Sequence, residues 1–69
     1  MSEQKVIARI LDTAAARAGD KGATERQCWL LAKLILEEGG NGNEFINGAL
    51  TKRQASEMID ISMKALSRF

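Results

Sequence analysis

Apolar residues recur at helical spacing in separate stretches of the chain. Near the start, apolar side chains three and four residues apart fall on one face of a helix, namely Val6, Ile7, Ile10, Leu11, Ala14 and Ala18. Near the end, a face with the same spacing includes one hydroxyl and consists of Ala55, Met58, Ile59, Ser62, Leu66 and Phe69. The opposite face of this last stretch carries charges of both signs, in the i, i+4 pairs Arg53 with Glu57 and Asp60 with Lys64.

Two T-x-x-Q motifs mark helix starts. Thr24 with Gln27, and Thr51 with Gln54, have the form of a capping box. In this box the Thr hydroxyl accepts a hydrogen bond from the N3 amide, and the Gln side chain accepts one from the Thr amide. Together with a helix that begins after Ser2, these motifs predict three helices over residues 3–18, 25–38 and 52–68.

The middle helix is apolar over well over half of its circumference. Between Cys28 and Leu36 the one polar residue is Lys33, so this helix needs cover on more than one side. One interpretation makes it the central helix, covered by its neighbours and by Phe45 and Ile46 of the following loop. The other makes part of it a contact surface for another protein, formed by Trp29, Leu30 and Leu34.

The connection over residues 39–50 is rich in glycine and asparagine, which favour turns. Glu44 is its one carboxylate, so the loop lacks the ligands of an EF-hand. No Gly-Lys-Ser or Gly-Lys-Thr follows its glycines, which argues against a phosphate-binding P-loop. Its length also exceeds the turn of a DNA-reading helix-turn-helix. The sequence therefore predicts an all-α fold, a compact three-helix domain that occupies residues 1–69 as a single unit.

Composition argues against most catalytic chemistry. The chain has 69 residues, no histidine, no tyrosine, no proline and one cysteine. Without histidine it lacks the usual general base and the usual metal ligand, and one cysteine cannot form an intrachain disulfide or a zinc site. We therefore expect a protein that is not an enzyme and has no catalytic residues, no metal and no cofactor.

The charges are nearly balanced, with ten Lys and Arg against nine Asp and Glu and a formal net charge of +1. Residues 51–69 are locally basic, with four basic and two acidic side chains. Arg26, Lys52 and Arg53 fall in the first turns of predicted helices, where exposed amides and cations together suit a phosphate or an acidic partner surface. With so few cations, we expect DNA binding to be weak and strongly salt-dependent.

The chain has no run of about 20 apolar residues, the length that a transmembrane helix needs. Its first residues, 1–11, alternate charged and apolar side chains, unlike the apolar core of a signal peptide. The sequence therefore predicts a cytoplasmic protein that has no membrane partner.

Two groups of residues carry a resemblance to a known module. Ala23-Thr24-x-x-Gln27 precedes the apolar helix, and Leu50-Thr51-x-x-x-Ala55-Ser56-x-x-Ile59 follows the Gly/Asn loop. This pattern, over residues 23–61, resembles a small helical module of bacterial and phage proteins that often sits at the end of DNA-processing or uncharacterised proteins. The resemblance implies a helical fold and an accessory role in binding DNA or protein. In size, the chain also resembles short phage proteins such as anti-CRISPR inhibitors.

Taken together, these features predict a non-catalytic phage or bacterial accessory protein that binds a nucleic-acid-processing assembly. Its contact is with the nucleic acid or with a protein component, through Arg26, Lys52 and Arg53. The alternative is a protein-only inhibitor of a host defence nuclease, of the anti-CRISPR kind, or a module that forms a homodimer. In that case the contacts are Trp29, Leu30 and Leu34.

Overall fold

A computed structural model describes residues 2–66, which form three α-helices: α1 (Glu3–Arg17), α2 (Glu25–Glu37) and α3 (Lys52–Leu66). Short 3-10 turns occupy Gly19–Lys21 and Asn43–Phe45. The predicted all-α, three-helix fold is therefore confirmed, with the predicted loop between α2 and α3. The last two residues of the predicted third helix, and Phe69 of its apolar face, lie outside the described residues. None of the described helices is long and apolar enough to cross a membrane.

Side-chain caps set the helix starts. The Thr24 hydroxyl accepts from the Gln27 amide at 3.1 Å, and the Gln27 side-chain oxygen accepts from the Thr24 amide at 3.0 Å. Thr51 and Gln54 make the same pair of hydrogen bonds, both at 3.0 Å. Both predicted capping boxes are confirmed, and each satisfies two amides that a bare helix start leaves without partners.

Glycine ends α2 in a Schellman motif. Gly39 has a φ of +82°, a left-handed conformation that glycine adopts without a steric penalty. Its amide donates to the carbonyl of Leu36 at 3.0 Å, and the Gly40 amide donates to the carbonyl of Ile35 at 2.8 Å. The chain therefore turns sharply away from α2 and starts back towards α1.

The second helix is the centre of the fold, because it packs against both α1 and α3. Its core-facing side chains are spaced three and four residues apart. Together with side chains from the rest of the chain they form one buried cluster, which consists of Ile7, Ala8, Leu11, Ala14, Ala15, Cys28, Leu31, Ala32, Ile35, Leu50 and Ala55. On α3, Met58 and Ile59 pack against this cluster while the charged face points outward. The interpretation of α2 as the central helix is correct for this core-facing side.

The buried face of α1 differs from the predicted one. Val6 is 44% exposed, whereas Ala8 and Ala15 are buried. The apolar spacing alone did not distinguish these neighbouring faces of the helix. The packed face of α1 is rotated towards Ala8 and Ala15, the side on which Gly22 approaches the Ala15 carbonyl.

The connection between α2 and α3 lies along α1. The Arg17 guanidinium donates to the carbonyls of Ile46 and Gly48 at 2.6 and 3.0 Å, and the Leu50 amide donates to the carbonyl of Ala14 at 2.9 Å. Phe45 packs against the core, but Ile46 is exposed. Only one of the two loop residues predicted to cover the core therefore does so.

A short backbone pairing joins the segments that precede α2 and α3. Gly22 and Thr51 form an isolated antiparallel bridge, and the Ala23 amide donates to the Leu50 carbonyl at 3.0 Å. The Gln27 side-chain amide also donates to the carbonyl of Lys52 at 3.2 Å. These contacts set the first turns of α2 and α3 side by side at one end of the molecule.

Candidate binding surfaces

Cations gather at the end of the molecule where α2 and α3 begin. Arg26 lies in the first turn of α2, and Lys52 and Arg53 lie in the first turn of α3. All three are exposed. Lys21, in the 3-10 turn before α2, adds a fourth exposed cation that sequence reasoning did not single out. We refer to Lys21, Arg26, Lys52 and Arg53 as the basic end.

Part of the basic end forms a shallow pocket of about 350 Å³. Its lining residues are Asp20, Lys21, Thr51, Lys52 and Arg53. Arg26 is outside this lining, although its neighbour Gln27 is hydrogen-bonded to Lys52. The structure therefore brings Lys52 and Arg53 together with Lys21, and leaves Arg26 beside the pocket on the adjoining helix.

The cations of α3 have weak internal partners. Arg53 lies 3.7 Å from a carboxylate oxygen of Glu57, and both side chains are largely exposed. The Lys64 to Asp60 pair further along α3 is closer, at 3.1 Å, and is also exposed. Both pairs have the i, i+4 spacing that the sequence predicted. Exposed pairs of this kind contribute little to stability, so the Arg53 guanidinium can exchange Glu57 for another anion at small cost.

The three side chains proposed as a protein contact do not share one surface. Trp29 is 49% exposed and Leu30 is 37% exposed, but Leu34 is 4% exposed. Leu34 lies one helical turn beyond Leu30 and is buried in the folded chain. A protein interface on the outer side of α2 would therefore consist of Trp29 and Leu30, without Leu34.

Trp29 borders an open groove of about 280 Å³ between α1 and α2. The lining residues are Lys5, Ala8, Arg9, Asp12, Glu25 and Trp29. The Gln4 side-chain amide donates to the carbonyl of Trp29 at 3.2 Å, which ties the start of α1 to the middle of α2. The indole thus borders a groove between two helices that are tied together, and most of the side chains that line this groove are charged.

Cys28 lies in the core beneath this groove. Burial, with a hydrogen bond to Asp12 and the negative charges of Asp12 and Glu25, raises the pKa of the Cys28 thiol to about 12. The thiol is fully buried, so it stays protonated near neutral pH and is a poor nucleophile. Its place in the fold is that of a small core residue.

Among residues 2–66, no three His, Cys, Asp or Glu side chains are grouped so that they could hold a metal ion. Comparison of the chain with protein-family models, with curated proteins and with solved structures finds no match. The resemblance of residues 23–61 to a bacterial and phage module therefore stays a prediction.

Proposed function

We propose that the protein is a non-catalytic accessory protein that binds the nucleic acid of a processing assembly through the basic end. The observation that supports this most directly is the pairing of Gly22 with Thr51, because it brings cations from separate parts of the chain into adjacent first turns. Before folding, Arg26 and Lys52 are separated by most of α2 and by the whole connecting loop.

The electrostatics of the basic end favour an anion. The start of a helix carries a partial positive charge, and a cation placed there is disfavoured by about 0.3–1 kcal/mol. Lys52 and Arg53 both occupy such positions on α3, and Arg26 occupies one on α2. A bound phosphate offsets this repulsion and accepts hydrogen bonds from the cations. Asp20, Glu25 and Glu57 are carboxylates near these cations, and they limit the affinity.

The test is a salt titration of binding to a labelled oligonucleotide, followed by fluorescence anisotropy. For the unmodified protein, the logarithm of the association constant should fall linearly with the logarithm of the salt concentration. The double variant Lys52→Ala with Arg53→Ala should bind more weakly and with a shallower slope, by about 0.7–0.9 for each phosphate that no longer pairs with a cation.

Lys64→Ala is the matched control for this experiment. Lys64 is an exposed, ion-paired cation on the same helix as Lys52 and Arg53, but it lies at the other end of that helix. It should leave the slope unchanged. Equal binding by the double variant and the unmodified protein would contradict the proposal.

A second candidate function is supported by the exposure of Trp29 and Leu30 on adjacent positions of α2. In this alternative the protein binds another protein, or a second copy of itself, and inhibits or assembles a complex without contacting nucleic acid. Apolar burial would give a negative heat-capacity change and little salt dependence. Light scattering measures self-association directly, and a monomer at all concentrations would exclude the homodimer.

A further inference from the structure

Trp29 is the single tryptophan of a chain that has no tyrosine, and half of its surface is open to solvent. Large aromatic side chains usually contribute most when buried. Here the core is filled by aliphatic side chains and the indole stands at the edge of the groove between α1 and α2. The Gln4 side chain donates to the main-chain carbonyl of Trp29, so the backbone that carries the indole is tied to the start of α1.

Cations flank this ring on the outer face of α2. Arg26 lies three residues before Trp29 and Lys33 lies four residues after it, which places both on neighbouring turns of the same face. Both are exposed, and Lys5 reaches the groove from α1. An aromatic ring between cations is the arrangement with which proteins hold single-stranded nucleic acid, because bases stack on the ring and phosphates pair with the cations.

The carboxylates of the groove refine this assignment. Asp12 and Glu25 line it together with Lys5, Arg9, Ala8 and Trp29, so the formal charges of the lining cancel and the two carboxylates repel a phosphate placed beside them. An uncharged base is not repelled in this way. The groove is open and has a volume of about 280 Å³, so a flat base can enter it beside the indole. The base therefore belongs in the groove and the phosphates belong on the outer cations.

The surroundings of Trp29 fit a protein partner less well. The centre of a protein interface is depleted of charged residues, and its aromatic anchors are ringed by contacts that exclude water. Trp29 instead has charged neighbours on the groove side, with Leu30 as its adjacent exposed apolar residue. A base in the duplex is already stacked on both faces, so only a single strand can offer one to the indole.

We infer that Trp29 is a stacking platform for one base of a single-stranded nucleic acid, whose phosphates lie along Arg26 and Lys33 on α2. This inference rests on the proposed function and names its ligand class, with Arg26 belonging both to this surface and to the basic end. A strand that leaves Trp29 past Arg26 continues towards the first turn of α3.

The experiment uses the fluorescence of Trp29, which is the single tryptophan of the protein. An oligothymidylate of about 15 nucleotides is titrated into the unmodified protein, and a duplex of the same length is titrated in parallel. Stacking should quench the indole with the single strand and not with the duplex. Trp29→Ala should lower the single-strand affinity about tenfold or more, with duplex affinity unchanged.

Two further variants control this result. Trp29→Phe keeps a smaller ring and should recover part of the affinity that Trp29→Ala loses, while circular dichroism checks that both variants remain helical. Leu30→Ala removes the adjacent exposed apolar side chain and should bind the single strand as tightly as the unmodified protein.

The outcomes separate this inference from the proposed function. Salt-dependent binding of both probes with unchanged indole fluorescence, or an equal loss for both probes in Trp29→Ala, overturns the stacking platform and leaves the basic end in place. If neither the single strand nor the duplex binds, the stacking platform and the proposed function are both wrong. Loss of salt-insensitive self-association in Trp29→Ala, without nucleic-acid binding, would identify a protein contact instead.

Discussion

At the scale of single residues, position 22 requires glycine because there is no room for a Cβ atom, and not because its backbone conformation is unusual. Its φ of −65° is open to any residue, but a Cβ built on it would lie 2.1 Å from the carbonyl oxygen of Ala15 and 2.9 Å from the carbonyl carbon. Both atoms are backbone, so no side chain can rotate away to make room. The close approach of this turn to α1 is also what allows Gly22 to pair with Thr51.

Gly22→Ala should therefore lower the free energy of unfolding by about 1–3 kcal/mol or more, since overpacked core substitutions typically cost this much. The free energy of unfolding in urea measures the effect. Gly48→Ala is the matched control, because a Cβ at Gly48 meets no atom within 4 Å and its φ is not positive. If both variants are equally stable, the close contact at Gly22 is not real in solution.

The raised pKa of Cys28 predicts how stability varies at high pH. The folded state holds the thiol proton up to a pKa of about 12, against 9.0 for an ordinary thiol. The folded state thus binds this proton more tightly than the unfolded state does. The resulting stability is fully present below pH 9 and is lost as the pH rises towards 12, by up to about 1.4 kcal/mol per pH unit.

Comparison with Cys28→Ala isolates this contribution from the titration of the lysines. The variant is expected to be less stable at neutral pH, because it leaves a small cavity, but its stability should fall less steeply in the alkaline range. Urea unfolding at a series of pH values measures both slopes. Parallel slopes would show that the thiol titrates normally in the folded protein.

At the scale of the elements, the helix starts were predictable and the packed face of α1 was not. A capping box is complete within four residues, so Thr24 with Gln27 and Thr51 with Gln54 specify their helix starts without help from the rest of the chain. The face that α1 buries depends on the position of α2 and of the turn at Gly22. Local spacing does not contain that information.

The capping box of α3 should contribute measurably to stability. Thr51→Ala removes the hydroxyl that accepts from the Gln54 amide, and loss of an N-cap costs about 0.5–2 kcal/mol. Thr13→Ala is the control, since Thr13 is exposed in the middle of α1 and its hydroxyl donates to the Arg9 carbonyl four residues back. Alanine favours helix more than threonine does, so thermal unfolding should show a loss for the first variant and none for the second.

At the scale of the whole molecule, the pairing of Gly22 with Thr51 forms the basic end, and the sequence has no local pattern that predicts this pairing. Arg26, Lys52 and Arg53 were identifiable as cations in first turns, but their meeting depends on the bridge between Gly22 and Thr51. Lys21 was missed because its place beside Lys52 has no local signal. The burial of Leu34 beside an exposed Leu30 likewise depends on how the elements pack around α2.

The fold depends as a whole on the enclosure of α2 by its neighbours in the same chain. Leu31 is 1% exposed at the centre of this helix, and truncation of a buried leucine to alanine costs about 2–5 kcal/mol. A core in a chain of this length rarely supplies more than about 3–5 kcal/mol. Leu31→Ala should therefore unfold most of the protein at 25 °C, which helical circular dichroism measures, whereas Ile61→Ala, at an exposed position of α3, should leave the helical signal intact. If Leu31→Ala keeps full helicity and an unchanged urea midpoint, the packing of α2 against α1 and α3 does not hold the molecule together.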